Sequence, residues 1–457
     1  MRRLFLIVPL VLSPLLAASQ EMETGGPVSL KQCVDYSIEN NSMIQKDRLG
    51  VEAAIQSRKE IIGSLLPQLN GSGSMAYNIQ KTTIAMPNFV NSMLPEPMQD
   101  PNAPKYMTVT MGMDLSANWG VSLTQQVLNL SLYNAAQIAK VGEEMANMGV
   151  TADSEDIIAK TATLFYSAQI LQYSINLFDE NLKVIGRLSD VMEENRSIGL
   201  VKQVDADRVA VTKMNLEAEK ISLQQALEVQ KNLLKLEMGF PMDGDVELEQ
   251  LDMESIEDLV YQEGRYDFAI EDQLAFKMLK SQQAMLGLQR KAAVSETLPV
   301  FSLSANYSHN YMGDHFYGET FHQFPVSMVS LNMRVPLFTG MSKTAKIKKA
   351  AIELEKAQKD ETMLRQSLTM GFNNARMQLD RNRASLHSQK RNQELARNVL
   401  EVTEGNYNEG LSSLTDLLNA SSSLIQAQMN YVSTMSNCIK AYIDLKKADG
   451  TIREIIK

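Results

Sequence analysis

The sequence predicts a mainly helical protein with a smaller share of membrane-type β-structure, built from one helix–strand–strand–helix–helix unit used twice. Three observations predict it. The turn Asn195-Arg196-Ser197-Ile198-Gly199-Leu200 recurs as Asn406-Tyr407-Asn408-Glu409-Gly410-Leu411, and the same offset of 211 carries Asn181 to Asn392, Asp205 to Asp416 and Gly239 to Gly450. Four stretches alternate apolar and polar residues with period two, as strands with one greasy face do. Two proline-free helical patterns, Tyr133–Asn195 and Lys343–Tyr407, would span roughly 95 and 98 Å.

The chain opens Met1-Arg2-Arg3, continues apolar from Leu4 to Leu16, and reaches Ala17-Ala18-Ser19. That is the pattern of a cleaved secretory signal, residues 1–19, and no Cys follows it to carry a lipid anchor. The first repeat, 20–241, begins with a helical pattern from Ser29 to about Gly63, stopped by Pro67. Leu69–Asn78 then alternates. Pro87, Pro95, Pro97, Pro101 and Pro104 mark a long loop, and alternation resumes from Met113 to Thr124, closing a β-hairpin over 68–126. The first long helix, the Gly199 turn and a return helix Val201–Met238 follow, ended by Gly239-Phe240-Pro241.

An acidic connector, 242–264, reads as a solvated linker with one short helix. The second repeat, 265–450, keeps the order: a helix over Tyr266–Ser295, Leu298-Pro299 echoing Leu66-Pro67, a hairpin over 299–338, the second long helix, the Gly410 turn and a return over Ser413–Lys447. Residues 451–457 form a tail. The offset between copies falls from 232 (Leu66 to Leu298) to 209 (Ile138 to Ile347), so the first hairpin loop is the longer one.

These patterns constrain the assembly. A copy's first helix and its return helix together match the long helix in length, so the economical packing stacks the two short ones end to end beside it. No stretch has eighteen consecutive apolar residues, which excludes a membrane-spanning helix. Four strands cannot close a membrane barrel, whose smallest members have eight, and an open sheet in lipid leaves unpaired edges. Oligomerisation is therefore required: three copies give a twelve-stranded ring, and two would give eight strands, narrow for a helical tunnel below.

A net charge of −10 argues against a nucleic-acid partner. Cys33 and Cys438, the two cysteines, fall at similar height in the stacking scheme and allow one disulfide or two buried thiols. His309, His315 and His322 share one loop with Asp314 and Glu319, and six of 28 methionines lie between Met86 and Met113. Their spacing fits no closed zinc pattern, and an aromatic extracellular loop (Tyr311, Phe316, Tyr317, Phe321, Phe324) is the alternative. No nucleophile–base pair, phosphate loop or cofactor motif points to an enzyme.

The order of elements, together with Ile198-Gly199-Leu200 and Asp205, Gly410-Leu411 with Thr415-Asp416-Leu417-Leu418-Asn419-Ala420, and Val335-Pro336-Leu337-Phe338-Thr339-Gly340, resembles the TolC-type outer-membrane efflux proteins. The resemblance implies a homotrimer: a β-barrel in outer-membrane lipid continuing into a long periplasmic α-barrel. It would be the passive exit duct of a tripartite pump for small molecules, with a periplasmic adaptor and an inner-membrane transporter as partners. Type I protein secretion and metal-ion efflux are alternative uses of such a duct, and a periplasmic coiled-coil scaffold or adhesin is the reading from another class. By motif position Asp416 matches an aspartate at the constriction, while the family's second aspartate is Asn419 here. Tyr407 and Asp205 fall where the family holds its tip shut, and the supporting arginine would fall at Ser412, leaving Arg208 or Arg196 to replace it. Gly199, Leu200, Gly410 and Leu411 are expected to form the adaptor-docking tip.

Overall fold

The computed structural model describes residues 26–261, 268–315 and 322–456, so the signal segment lies outside the described residues. The chain forms two compact units. One comprises residues up to 51, 145–280 and 359 onward; the other comprises 52–144 and 281–358. The helices are α1 (Leu30–Asn40), α2 (Ser42–Gly63), α3 (Phe89–Met93), α4 (Leu130–Ser197), α5 (Gln203–Met238), α6 (Met253–Tyr261), α7 (Leu274–Ser295), α8 (Ser342–Asn408) and α9 (Leu414–Ala448). The strands are β1 (Gln68–Tyr77), β2 (Thr82–Pro87), β3 (Tyr106–Met111), β4 (Leu115–Leu128), β5 (Val300–Gly313) and β6 (His322–Arg334).

In the strand-bearing unit, β1-β4-β5-β6 form an antiparallel four-stranded sheet with β1 and β6 at its edges. The register Gly73↔Trp119↔His309↔Pro325 and Leu69↔Leu123↔Ala305↔Val329 puts Leu69, Met75, Trp119, Val121, Leu303, Tyr307, Leu331 and Met333 on one face. All of these are exposed. Ser72, Asn118, Ser304, Asn306, Ser330 and Asn332 line the other face, where Ser304 and Ser330 hydroxyls meet at 2.7 Å. Both sides of the sheet are open in the single chain, so the greasy side has no core packed on it, the reverse of a water-soluble sheet. On β6 the alternation changes phase at Met328–Val329, so Phe324, Val326 and Met328 lie on the polar side. The proline-rich loop is more ordered than the sequence suggests. Within it β2 and β3 pair from Thr82↔Met111 to Pro87↔Tyr106, because all its prolines lie outside the ladder or at its end.

In the other unit, the largest core joins Cys33, Val34, Ile158, Phe165, Leu234, Met238, Leu379, Leu386, Met435, Ile443 and Leu445. The single helix expected from Ser29 to Gly63 is two. It breaks at Asn41, whose amide donates to the Glu237 carbonyl (2.6 Å) and whose Oδ1 accepts from Met43 N–H (2.8 Å). That break receives the end of α5. Gly239 takes φ +71°, and a Cβ there would stand 2.6 Å from the Asn40 carbonyl oxygen. The acidic connector is not merely solvated: Val246, Ile256 and Val260 are buried in the main core. Val28 exchanges backbone hydrogen bonds with Glu247 (2.8 Å) and Glu249 (3.2 Å). Its few apolar residues, hidden among carboxylates, are what the composition masks.

Along α8, Phe372, Leu379 and Leu386 are buried at seven-residue spacing, while Met363, Met370 and Met377, also seven apart, are exposed. Two seams of period 3.5 on one helix fit a helix with neighbours on both sides.

Candidate functional site

Both tips end their long helices in the same way. Gly199 (φ +80°) and Gly410 (φ +75°) occupy the left-handed position after α4 and α8. Gly199 N–H donates to Arg196 O (3.0 Å) and Leu200 N–H to Asn195 O (2.8 Å). Gly410 and Leu411 repeat this with Tyr407 (3.0 Å) and Asn406 (2.8 Å). This paired bonding is the Schellman closure, which normally packs the following apolar residue back on the helix. Here Leu200 and Leu411 are each 74% exposed instead.

Each return helix starts differently. Ser413 caps α9 in a reciprocal box: its hydroxyl accepts from Asp416 N–H (3.1 Å), and Asp416 Oδ2 accepts from Ser413 N–H (3.1 Å) and Oγ–H (2.6 Å). These donors hold the exposed Asp416 carboxyl below the usual aspartate range, the Ser413 hydroxyl contributing most. At α5 Lys202 stands in the capping place without a side-chain cap. That turn is clipped by Arg196, which reaches Gln203 Oε1 (3.0 Å) and pairs with Glu193.

The two hairpins pack through Phe178, Ile185, Met192, Val209 and Leu216, with Tyr407, Leu414 and Leu418 against them. Polar groups cross between them as well: Asn181 Nδ2 donates to Gln428 Oε1 at 3.0 Å, and nearer the turns Arg208 reaches across. Arg208 lies 3.6 Å from Asp205 and donates to Thr415 Oγ1 at 3.2 Å.

The outer membrane efflux protein family matches residues 269–451. The chain is similar to the outer membrane protein TolC of Vibrio cholerae serotype O1, 19% identical over 427 residues that cover 93% of this chain and 91% of that one. Over residues 269–451 the chain resembles the outer membrane efflux proteins. Two solved structures share the fold: CusC, with a TM-score of 0.72 and 14% identity over 92% of this chain and 91% of that one, and VceC from Vibrio cholerae, with 0.69 and 15% over 92% and 96%.

The residues that the family resemblance singles out fall together at the tips, with different partners from those expected. The Tyr407 hydroxyl points to Met192 Sδ (3.9 Å), and Asp205 is taken by Arg208. Burial, and then the Asp205 carboxylate, raise the Tyr407 phenol. Of the two arginines open to the role, Arg208 crosses between hairpins and Arg196 stays within one. Asn419 is exposed one turn after Asp416, and Ser412 is half-buried at the turn. The capping role of Asp416 was readable from Ser413-Leu414-Thr415-Asp416, a serine three residues before a carboxylate. Met192 as the partner of Tyr407 had no signal, since a thioether accepts too weakly to advertise itself.

Cys33 and Cys438 lie in one core with no exposed surface, and both are free thiols, so the disulfide allowed by the sequence is not formed. Burial pushes them up to about 12 and about 11. His309 belongs to β5 rather than to a loop. Its ring stacks on Trp119 (5.4 Å) and its Nε2 meets the Tyr307 hydroxyl at 3.0 Å. Asp314 instead takes Lys81 (3.0 Å). Glu319, Phe316, Tyr317 and Phe321 lie outside the described residues. Among the described residues no three His, Cys, Asp or Glu side chains converge as metal ligands.

Proposed function

We propose that three copies of this chain form an outer-membrane exit duct for small molecules, a passive conduit whose periplasmic tip opens and closes. One observation carries the reading: a four-stranded sheet with one bare apolar face, whose two edge strands, β1 and β6, are unpaired. In lipid those edges must be satisfied, and β6 of one copy against β1 of the next closes a twelve-stranded ring. The exposed methionine seam of α8 supports the same packing in the helical part, which would form the periplasmic α-barrel.

The order of the chain gives two repeats, 20–241 and 265–450, joined by the connector 242–264. Leu200 and Leu411, exposed on rigid glycine turns, suit an apolar docking edge for a periplasmic adaptor, with energy supplied by an inner-membrane transporter. Arg208, holding Asp205 and Thr415 together, takes the latch role that Tyr407 and Ser412 leave unfilled. Three Asp416 carboxylates would ring the opening, and Asn419 leaves that ring at three charges rather than six. Neither charge nor cavity at the tip marks a cargo, as a passive conduit allows.

Purified full-length protein should run as a heat-resistant trimer in detergent and conduct ions across a planar bilayer. Its cation block should weaken in Asp416→Asn, which keeps an acceptor for the Ser413 cap. A monomer without conductance would refute the duct, and an unchanged block would refute the ring.

A further inference from the structure

We infer that the segment joining β6 to α8 is a second membrane contact, an apolar and basic collar that grips an anionic phospholipid surface at the periplasmic leaflet. It rests on the reading that the sheet lies in the outer membrane. Leu337 is 92% and Phe338 82% exposed, next to Met341, which is exposed too. Apolar side chains so bare, continuous in the chain with a lipid-facing strand, need an apolar cover. The backbone goes out of its way to hold them there. Gly340 and Met341 have φ of +59° and +66°, and among the described residues Met341 is the one non-glycine with positive φ. Such strain persists where the surroundings or a function demand it.

Immediately after come Lys343, Lys346, Lys348 and Lys349, with no acidic residue from Ser342 to Ile352. Glu296 takes two of them, through its carbonyl oxygen to Lys343 and its carboxylate to Lys346 (2.5 Å). Among the described residues Lys348 and Lys349 form no ion pair, and both are exposed. Helix propagation does not ask for them, since cations at a helix start oppose its dipole. Nor does the joint. At the offset of 209 the first repeat makes the same strand-to-helix passage with Gln137, Ala139 and Lys140 for Lys346, Lys348 and Lys349, and with Asn129 for Phe338.

The edge strand β1, which would lie beside β6 in the ring, carries no acidic residue to match this charge. Apolar side chains followed at once by lysines fit an interface where acyl chains give way to phosphodiester headgroups.

The test uses the full-length oligomer in phosphatidylcholine vesicles with trace spin-labelled phosphatidylglycerol or phosphatidylcholine. Each lysine near an anionic surface is worth about fivefold in association, so Lys348→Gln with Lys349→Gln should cut the preference for phosphatidylglycerol by up to about twenty-five-fold. The wild-type preference should fade in molar salt, where the Debye length shrinks to about 3 Å. In a Trp119→Phe background, Phe338→Trp should be quenched by lipids brominated near the headgroup. A change in preference under about twofold, or an unquenched Trp at 338 (the result expected if another copy covers it), overturns the collar. Bilayer conductance of the same preparations separates the two readings. A conducting trimer without lipid preference sinks the collar alone, whereas loss of conductance in the wild type sinks the duct and the collar with it.

Discussion

Removing the Arg208 side chain should unlatch the tip. The guanidinium lies 3.6 Å from Asp205 and 3.2 Å from Thr415 Oγ1, with side-chain exposures of 53% for Arg208 and 33% for Asp205. The ion pair with Asp205 lies within α5, one turn apart, and stays intact when the hairpins part. What crosses is the hydrogen bond to Thr415, from a charged donor but open to water, worth about 0.5 kcal/mol. About 0.5 kcal/mol per protomer is small, but opening must break the bond in all three copies. If they break together, the closed state loses about 1.5 kcal/mol, and the ratio of open to closed channels rises about tenfold. Single-channel recording of the reconstituted trimer reads that ratio directly. Arg208→Lys keeps the attraction to Asp205 without the planar fork and should fall between wild type and Arg208→Ala. Arg196→Ala is the control, because Arg196 bonds Glu193 and Gln203 within its own hairpin. Equal open probabilities for wild type and Arg208→Ala, or the same gain in Arg196→Ala, would refute the latch.

Three further expectations can be checked on the same material. Asp416→Ala should destabilise the second tip where Asp416→Asn does not, since only the alanine loses the capping acceptor; hydrogen exchange at Leu417 and Leu418 N–H reads the difference. Because the carboxyl is held below its ordinary value, that capping contribution is whole above pH about 3.9 and is lost as pH falls through the lower folded value; protection that declines nearer neutrality would contradict this. Gly239→Ala puts a methyl 2.6 Å from Asn40 O in a left-handed backbone, and about 1–2 kcal/mol for the conformation alone, with the clash added, should lower the thermal midpoint; an unchanged midpoint would mean the α5 end does not brace the break at Asn41. Maleimide at neutral pH should label neither Cys33 nor Cys438 until denaturant is added, as both thiols are buried and pushed up to about 12 and about 11, and native labelling would overturn that placement.

Period and repetition made most of the architecture legible. Alternation over Leu69–Asn78 and Met113–Thr124 located β1 and β4 to within a few residues, because a sheet with one apolar face and one polar face writes its period plainly into the sequence. Schellman glycines likewise announced Gly199 and Gly410. What escaped depends on contacts between distant segments. The break at Asn41 is stabilised by Glu237, some two hundred residues away, and a lone asparagine inside a helical pattern carries no such message. The β2–β3 ribbon hid among prolines that flank its ladder rather than interrupt it. At the tip, family likeness located Tyr407 and Asp205 but not their partners. A hydroxyl chooses between a thioether and a carboxylate only through the packing of α4 against α8.

The edges of the sheet have a genetic consequence. In a ring closed head to tail, β6 of each copy meets β1 of its neighbour, so one faulty edge spoils a seam that two sound chains cannot mend. A cell making normal and edge-damaged chains equally would assemble only about one intact ring in eight. Lesions in β1 or β6 should therefore be inherited as dominant, whereas a lesion that prevents folding outright would withdraw its product from assembly and behave as recessive.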